Sequence, residues 1–477
     1  MNEQAISTRE ALSRYAPYNR AAVKSMLEKM LEKRKAKVIV LDDDPTGIQT
    51  VHDIYVYTDW TIESFRAGFA APQSMFFILT NSRGMSSEET EREHRAMARN
   101  IAQAAKEAEQ DFILISRSDS TLRGYYPLET EVLRDTLEGE GLPPYDGEVI
   151  LPFFLEGGRF TIDDVHYVQM GETLVPAGQT EFAKDRTFGY TASNLRRWVE
   201  EKTQGRYRAQ DVASVTLDQL RSCRTDEIVK VLMGVHAFGK VIVNAIDYPD
   251  VEMFVIALIG AMEHGKRFLF RSAAALTKVL GGVSDKELLT REELVNTQNR
   301  NGGLIVVGSH VHKTTLQLEQ LRRAQDIDFI EFNVRTVLDD AAFAAEQARI
   351  ISAVEKNIRA GKTTAVYTSR ERLDLGEGRK QEELMLSVKI SGAVSGIVSA
   401  LTVQPNFIIA KGGITSSDVG TKGLGVRRAK VMGQILKCIP VWLTGEESKF
   451  PDMPYVIFPG NVGDENALYD AYMKVRP

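Results

Sequence analysis

A short apolar run that stops abruptly at polar or glycine residues recurs along the whole chain, and no other feature restricts its fold as much. KVIVLDDDPTG (37–47), MFFILTNSRG (75–84), DFILISRSDSTLRG (111–124), EVILPFF (148–154) and KVIVNAIDYPD (240–250) share this shape. Amphipathic helical stretches such as Ser87–Glu109 and Val251–Glu263 lie between several of them. Strand, polar loop and helix in repetition predict a parallel sheet covered by helices. Such sheets are buried on both faces, so their strands read as unbroken apolar runs rather than alternating ones. A second series begins after Gly302-Gly303 with LIVVGSHVHKTT (304–315), TAVYTSRE (364–371), NFIIAKGGITSSD (406–418), IPVWLTG (439–445) and YVIFPGNVGDEN (455–466). The expected fold is therefore α/β with two domains. Each would be a mostly parallel sheet flanked by helices, with the active site in the interdomain cleft.

Residues 1–36 read as an N-terminal helical extension, because Val23, Met26, Leu27, Met30 and Leu31 fall at helical spacing. Residues 37–275 make the first domain, 276–302 a polar linker and 303–477 the second. Within the first domain, 155–210 breaks the rhythm. GGRFTIDDVHYVQMGETLVPAG alternates β-type residues with turns, which predicts a small antiparallel insertion acting as a lid or contact surface.

Composition narrows the function classes. With 65 acidic against 59 basic side chains and a net charge of −6, the chain carries no basic block suited to nucleic acid or an anionic membrane. Its 2 cysteines, Cys223 and Cys438, offer neither a disulfide framework nor a thiolate zinc cluster, which suits a reducing cytoplasm. The first residues lack the apolar core of a signal peptide, and the longest apolar run, Met253 to Met262, is far short of the ~20 residues that span a bilayer.

In open α/β sheets ligands bind beyond the carboxyl ends of the strands, and the unusual residues stand there. In the first half, Asp42, Asp43 and Asp44 follow one strand; adjacent carboxylates repel unless a cation, a proton or an arginine compensates. Asp44 could instead cap a helix after Gly47. Asn81 ends another run, and Arg117, Asp119, Ser120, Thr121 and Arg123 crowd a third. Arginine forks suit carboxylate or phosphate groups. Arg159, Asp163 and Asp164 extend the candidate site from the insertion. In the second half, Gly308, Ser309 and His310, then Gly412, Gly413, Ile414 and Thr415, then Gly460, Asn461 and Gly463 follow three strands. Glycines let a backbone approach a phosphate, and helix N-termini offer it free N–H groups. None of the three is a Walker A loop.

LDDDPTGIQTVHD (41–53), SRSDSTLRG (116–124), LPFFLEGGRFT (151–161), VVGSHVHKTT (306–315), AKGGITSSDVGTKGLG (410–425) and FPGNVGD (458–464) together resemble the four-carbon acid sugar kinase family. The resemblance covers nearly the whole chain beyond the first helix. It implies a substrate-binding first domain, a nucleotide-binding second domain, and phosphorylation by ATP, with Mg²⁺, of the terminal hydroxyl of threonate, erythronate or an oxo-tetronate. It places the family's DDxTG loop on Asp43, Asp44, Thr46 and Gly47, and its DSTxRG loop on Asp119, Ser120, Thr121, Arg123 and Gly124. From the place of the acids at a strand end, Asp44 or Asp43 is expected to be the general base, or a magnesium ligand that orients the reacting hydroxyl. The nucleotide loops fall on Gly308 and Ser309, on Gly412, Gly413 and Thr415, and on Pro459, Gly460, Asn461 and Gly463. Many members carry an acid where Ile414 stands. The DDDPTG and GGITS forms match a variant branch. The expected partners are the small sugar acid, ATP and a second copy in a homodimer, not nucleic acid or membrane. The residues leave the metal ligands open.

Two rival readings fit part of the pattern. Asp42, Asp44 and Thr46 also match the DxDxT of haloacid-dehalogenase phosphatases, with Asp42 as nucleophile and Thr80 in the second motif, but three glycine loops then lack a role. A two-domain sensor of sugar acid or nucleotide would need no row of three carboxylates.

Overall fold

The computed structural model describes residues 3–370, 380–460 and 462–476. The chain divides into two compact units: Met1–Val51 with Asp59–Ser284, and His52–Thr58 with Asp285–Pro477. The division falls between Ser284 and Asp285, but residues 276–302 are not a plain polar linker: the buried helix Ala274–Gly281 runs into that stretch and the short helix Arg291–Leu294 lies within it. The excursion of residues 52–58 into the second unit has no compositional signal. It arises because Tyr55–Tyr57 pairs antiparallel with Arg428–Lys430.

Among the described residues, the first unit is built on seven parallel strands. Their order is Ala213–Val215, Gly239–Val243, Gly147–Leu151, Phe268–Ser272, Phe112–Arg117, Lys37–Asp42 and Met75–Leu79. The last five of these are buried at every position, as unbroken apolar runs require. Helices cover the sheet. Ser87–Glu107 starts on a capping box of Ser86 and Glu89. Tyr248–Glu263 begins three residues before its apolar run, because Asp247 caps it and Pro249 suits its first turn.

The N-terminal segment corrects the purely helical reading. Helices Thr8–Ser13 and Arg20–Lys33 are present, but Ile6–Ser7 is a strand paired with Thr173 and Leu174. That strand completes a four-stranded antiparallel sheet with Arg159–Ile162, Val165–Met170 and Thr173–Pro176, so the alternating stretch does form an antiparallel insertion. Its core, with Tyr190, Leu195, Trp198 and Val199, packs on Leu122, Tyr126, Ile150 and Ile242 of the main body.

Among the described residues, the second unit has five parallel strands in the order Pro454–Phe458, Ile408–Lys411, Leu304–Val307, Thr363–Thr368 and Ile327–Phe332. Ile439–Thr444, Arg428–Leu436 and Tyr55–Tyr57 extend it antiparallel. Leu321, Phe407, Ile409, Val456 and Tyr472 are among the residues of its core. Among the described residues, no helix is long and apolar enough to cross a membrane.

Candidate active site

Strand register assembles the first unit's polar edge. Leu79 pairs with Asp42, Asp42 with Arg117, Arg117 with Ser272 and Ser272 with Leu151, so five strand ends stand in one line. Asp42 is buried and accepts from Arg117 Nη1 at 3.1 Å. Gly47 folds back over it: a Cβ at position 47 would stand 1.9 Å from the Asp42 carboxylate, so the turn closes only with glycine. Residues 45–50 form turns rather than a helix, which rules out the expected cap. Asp44 instead accepts from the Thr46 N–H at 2.7 Å and from its hydroxyl.

The three carboxyls are shifted in different directions. Burial pushes the Asp42 carboxyl up to about 7 against the pull of Arg117. Burial likewise pushes Asp43 up to about 6, against Arg83 and Arg117. Burial also works on Asp44, but Arg83 and the Thr46 hydrogen bonds outweigh it and hold that carboxyl below its ordinary range. Asp44 is the accessible one: its side chain is 23% exposed, against 4% and 2% for Asp42 and Asp43.

Arg83 ties the cluster together and was missed in the sequence. Its Nε lies 3.0 Å from Asp43, its Nη2 2.7 Å from Asp44 and its Nη1 3.9 Å from Asp119. The available signal was its place: it ends an apolar run, as Arg117 does. Asn81, in the left-handed region at φ 54°, opens the turn Ser82–Gly84 that carries it. Arg271 is a second omission; it donates to the Arg123 carbonyl at 2.9 Å. Glu129 is a third, buried and accepting from Ser82 at 2.6 Å and Ser118 at 3.4 Å.

Asp119 accepts from Arg123 Nε at 2.8 Å and from the Thr121 hydroxyl. Burial works to raise the Asp119 carboxyl, but Arg123, Arg83 and Thr121 hold it well below the usual range. Ser120 is buried beside them, and Arg159 lies close by, its guanidinium 5.5 Å from the Phe182 ring. Asp164 is engaged elsewhere, by Arg196 at 2.6 Å and Asn244 at 2.8 Å.

The second unit's edge has different chemistry. Val307, Lys411 and Phe458 stand side by side in register, so the three loops that follow them are neighbours. They interlock through glycines. A Cβ at Gly308 would meet Thr415 Oγ1 at 2.3 Å, one at Gly412 would meet Ser309 Cβ at 3.1 Å, and one at Gly460 would meet Ser309 Oγ at 3.4 Å. Thr314 donates to the Gly460 carbonyl at 3.2 Å, and Gln317 to the Val462 and Asp464 carbonyls at 3.1 and 2.7 Å. Lys411, which opens the loop after NFIIA and carries no assigned role in the sequence reading, is buried and donates to the Pro459 and Gly460 carbonyls at 2.6 and 3.2 Å. Burial, with Lys313 nearby, pushes its ammonium down to about 7. Arg370 donates to the Ser309 carbonyl at 2.7 Å. His310 is exposed in its loop, and Ile414, 74% exposed, stands in the first turn of the short helix Gly413–Asp418. A Cβ at Gly413 would enter open space, and Gly463 lies at φ 81°. Asn461 lies outside the described residues.

Glycine backbone, hydroxyls and cations in that arrangement suit polyphosphate. For Mg²⁺ the donor set does not make a protein cage: among the described residues no three His, Cys, Asp or Glu are placed to hold a metal ion, and the clustered aspartates are taken up by Arg83, Arg117 and Arg123. A magnesium ion carried on the nucleotide's own phosphates fits, since Mg²⁺ keeps phosphate and water ligands in such sites.

Residues 38–280 match the family described as a sugar-binding N-terminal domain, and 304–468 that described as a nucleotide-binding C-terminal domain. No curated protein matches the chain. Among solved structures, a Salmonella typhimurium LT2 protein proposed to be a tRNA synthase superposes with a TM-score of 0.66 at 15% identity, over 91% of this chain and 98% of that one. A Haemophilus influenzae protein, HI1011, of the family DUF1537 gives 0.62 at 18% identity, over 92% and 100%. Both share the fold.

Proposed function

The chain belongs to the four-carbon acid sugar kinase family, which joins a sugar-binding N-terminal domain to a nucleotide-binding C-terminal one, and from that premise we propose that it is an ATP-dependent kinase acting on the terminal hydroxyl of a four-carbon sugar acid. The observation that carries the reading is the presence, one in each unit, of two strand-end sites with complementary chemistry. One is a row of carboxylates threaded with arginines. The other is a set of interlocked glycine loops anchored by Lys411.

In this reading Asp44 accepts the proton of the reacting hydroxyl. Reach decides before basicity, and Asp44 is the exposed member of its row. Its lowered carboxyl stays ionised at neutral pH. Phosphoryl transfer has a loose transition state, so positioning and charge matter more than a strong base. The hydroxyl oxygen bonds to the γ-phosphorus, the bond from that phosphorus to the β-bridging oxygen breaks, and ADP leaves with the electron pair. Asp42 and Asp43 act as buried counter-charges for Arg117 and Arg83. Arg123, with Arg117, Arg159, Asn81, Asp119 and Ser120 around it, binds the acid. Gly308, Ser309, His310, Gly412, Gly413, Ile414, Thr415, Gly460, Asn461 and Gly463 form the nucleotide loops. A magnesium ion held through the nucleotide's phosphates would offset phosphate charge.

The phosphatase alternative needs Asp42 free for in-line attack. Burial under Gly47 and the Arg117 bond deny it that freedom. The test is ADP release from MgATP across threonate, erythronate and the oxo-tetronates. Release that depends on one of these acids is expected; phosphate release from phosphosugars without ATP would overturn the reading.

A further inference from the structure

Three of the second unit's strands end in glycine loops, and a fourth, Thr363–Thr368, ends beside them in Ser369 and Arg370. Tyr367 pairs with Val307, and Val307 with Lys411, so this strand end stands in line with the others. Arg370 is half-buried and fastened to the neighbouring loop and the helix that follows it. Its Nη1 donates to the Ser309 carbonyl at 2.7 Å, its Nη2 to the Thr315 hydroxyl at 2.8 Å and its Nε to that same hydroxyl at 3.2 Å.

Those acceptors are neutral oxygens and supply no counter-charge. Among the described residues no carboxylate lies within ion-pair distance of Arg370, and burial is the one influence on its guanidinium, which it pushes below the ordinary value. Arg83, Arg117 and Arg123 differ in this respect: each holds a carboxylate, at 3.0, 3.1 and 2.8 Å. A cation withdrawn from water without a counter-charge costs free energy that an incoming anion offsets. The three bonds use three of the guanidinium's N–H groups and leave one on each terminal nitrogen. Lys411 does not fill this role, since it is wholly buried with its ammonium under the Pro459 and Gly460 carbonyls.

We infer that Arg370 is a phosphate-binding residue of the nucleotide site, its fork fixed by Ser309 and Thr315 and its charge answered by the polyphosphate of a nucleoside di- or triphosphate. The role rests on the nucleotide-binding reading above. Its ligand class follows from charge: a neutral nucleoside gains nothing from Arg370, and a polyphosphate does.

The test is calorimetry on the full chain with MgATP, ADP and adenosine, in the wild type, Arg370→Gln and Arg370→Lys. Glutamine keeps a donor for the Ser309 carbonyl and loses the charge; lysine keeps the charge and loses the fork. Arg370→Gln should weaken ADP and MgATP roughly tenfold and flatten the fall of ADP affinity with added salt, while adenosine affinity holds. Arg370→Lys should recover part of the loss. Wild-type ADP and MgATP affinity in Arg370→Gln overturns the inference alone. An ADP loss as deep in Arg370→Lys as in Arg370→Gln also overturns it, since the fork's hold on the loop is then what counts, and so does an equal weakening of adenosine. A wild type that binds neither ADP nor MgATP overturns the nucleotide-binding reading and this inference with it.

Discussion

At residue 44 a change of one oxygen to nitrogen separates chemistry from architecture. Asp44→Asn keeps an acceptor for Thr46 but removes charge and basicity. Turnover should fall roughly 10²–10⁴-fold with MgATP affinity unchanged in calorimetry; near-normal turnover would leave Asp44 a turn-former. Gly47 answers a different question. Its Cβ space is occupied by the Asp42 carboxylate, so Gly47→Ala must displace a buried, arginine-paired acid. A loss of about 1–3 kcal/mol in urea unfolding is expected from overpacking of this kind. The buried ionisable groups also set a pH signature. Burial pushes His166 down from 6.5 to about 4, so the unfolded chain takes up its proton first. Its contribution to stability is complete above pH 6.5 and is lost as pH falls towards 4. Asp42 and Asp43 act oppositely: their raised folded values favour the native state most below pH 4, and that advantage is lost as pH rises to about 7. His166→Gln should therefore gain on the wild type by up to about 3 kcal/mol between pH 7 and 4. A difference that does not change with pH would contradict the neutral, buried assignment.

At the scale of elements, the strands that the sequence announced are the ones that hold the site. Apolar runs such as Val38–Leu41 and Ile408–Ala410 were legible because both faces of a parallel sheet are buried. Their register was not legible, and register makes neighbours of Asp42 and Arg117, or of Lys411 and Phe458. Residues acting across strands were accordingly missed. Arg83 sits in an ordinary NSRG turn, and Lys411 reads as one more strand-end lysine until its ammonium is found under the Pro459 and Gly460 carbonyls. The bonds from His166 to the Ser120 carbonyl and from Tyr190 to the Thr121 carbonyl were also hidden, because each joins residues tens of positions apart. Lys411→Met keeps an apolar stem on the Phe458 ring and removes both hydrogen bonds. MgATP affinity should drop about tenfold or more, since two charge-assisted bonds set the loop, while sugar-acid affinity holds. Unchanged nucleotide binding would remove Lys411 from the account.

As a whole molecule, the chain is interleaved as well as divided. It leaves the first unit after Val51, lends residues 52–58 to the second and returns at Asp59. A fragment starting at Asp285 therefore lacks the strand that covers Arg428–Lys430, including the bonds Asp53 N–H to Val431 O at 2.7 Å and Val431 N–H to Ile54 O at 2.9 Å. An uncovered edge strand invites association with other chains. Fusing residues 50–58 to the start of that fragment should raise its unfolding midpoint and suppress aggregation in light scattering; no difference would show the excursion to be dispensable. The central claim is the transfer itself. Its most direct measurement is coupled ADP release together with mass analysis of the acid, using full-length protein, MgATP and each four-carbon acid in turn. One acid should stimulate ADP release and emerge heavier by one phosphoryl group. ADP release that no acid stimulates, with every acid recovered at its starting mass, would contradict the account.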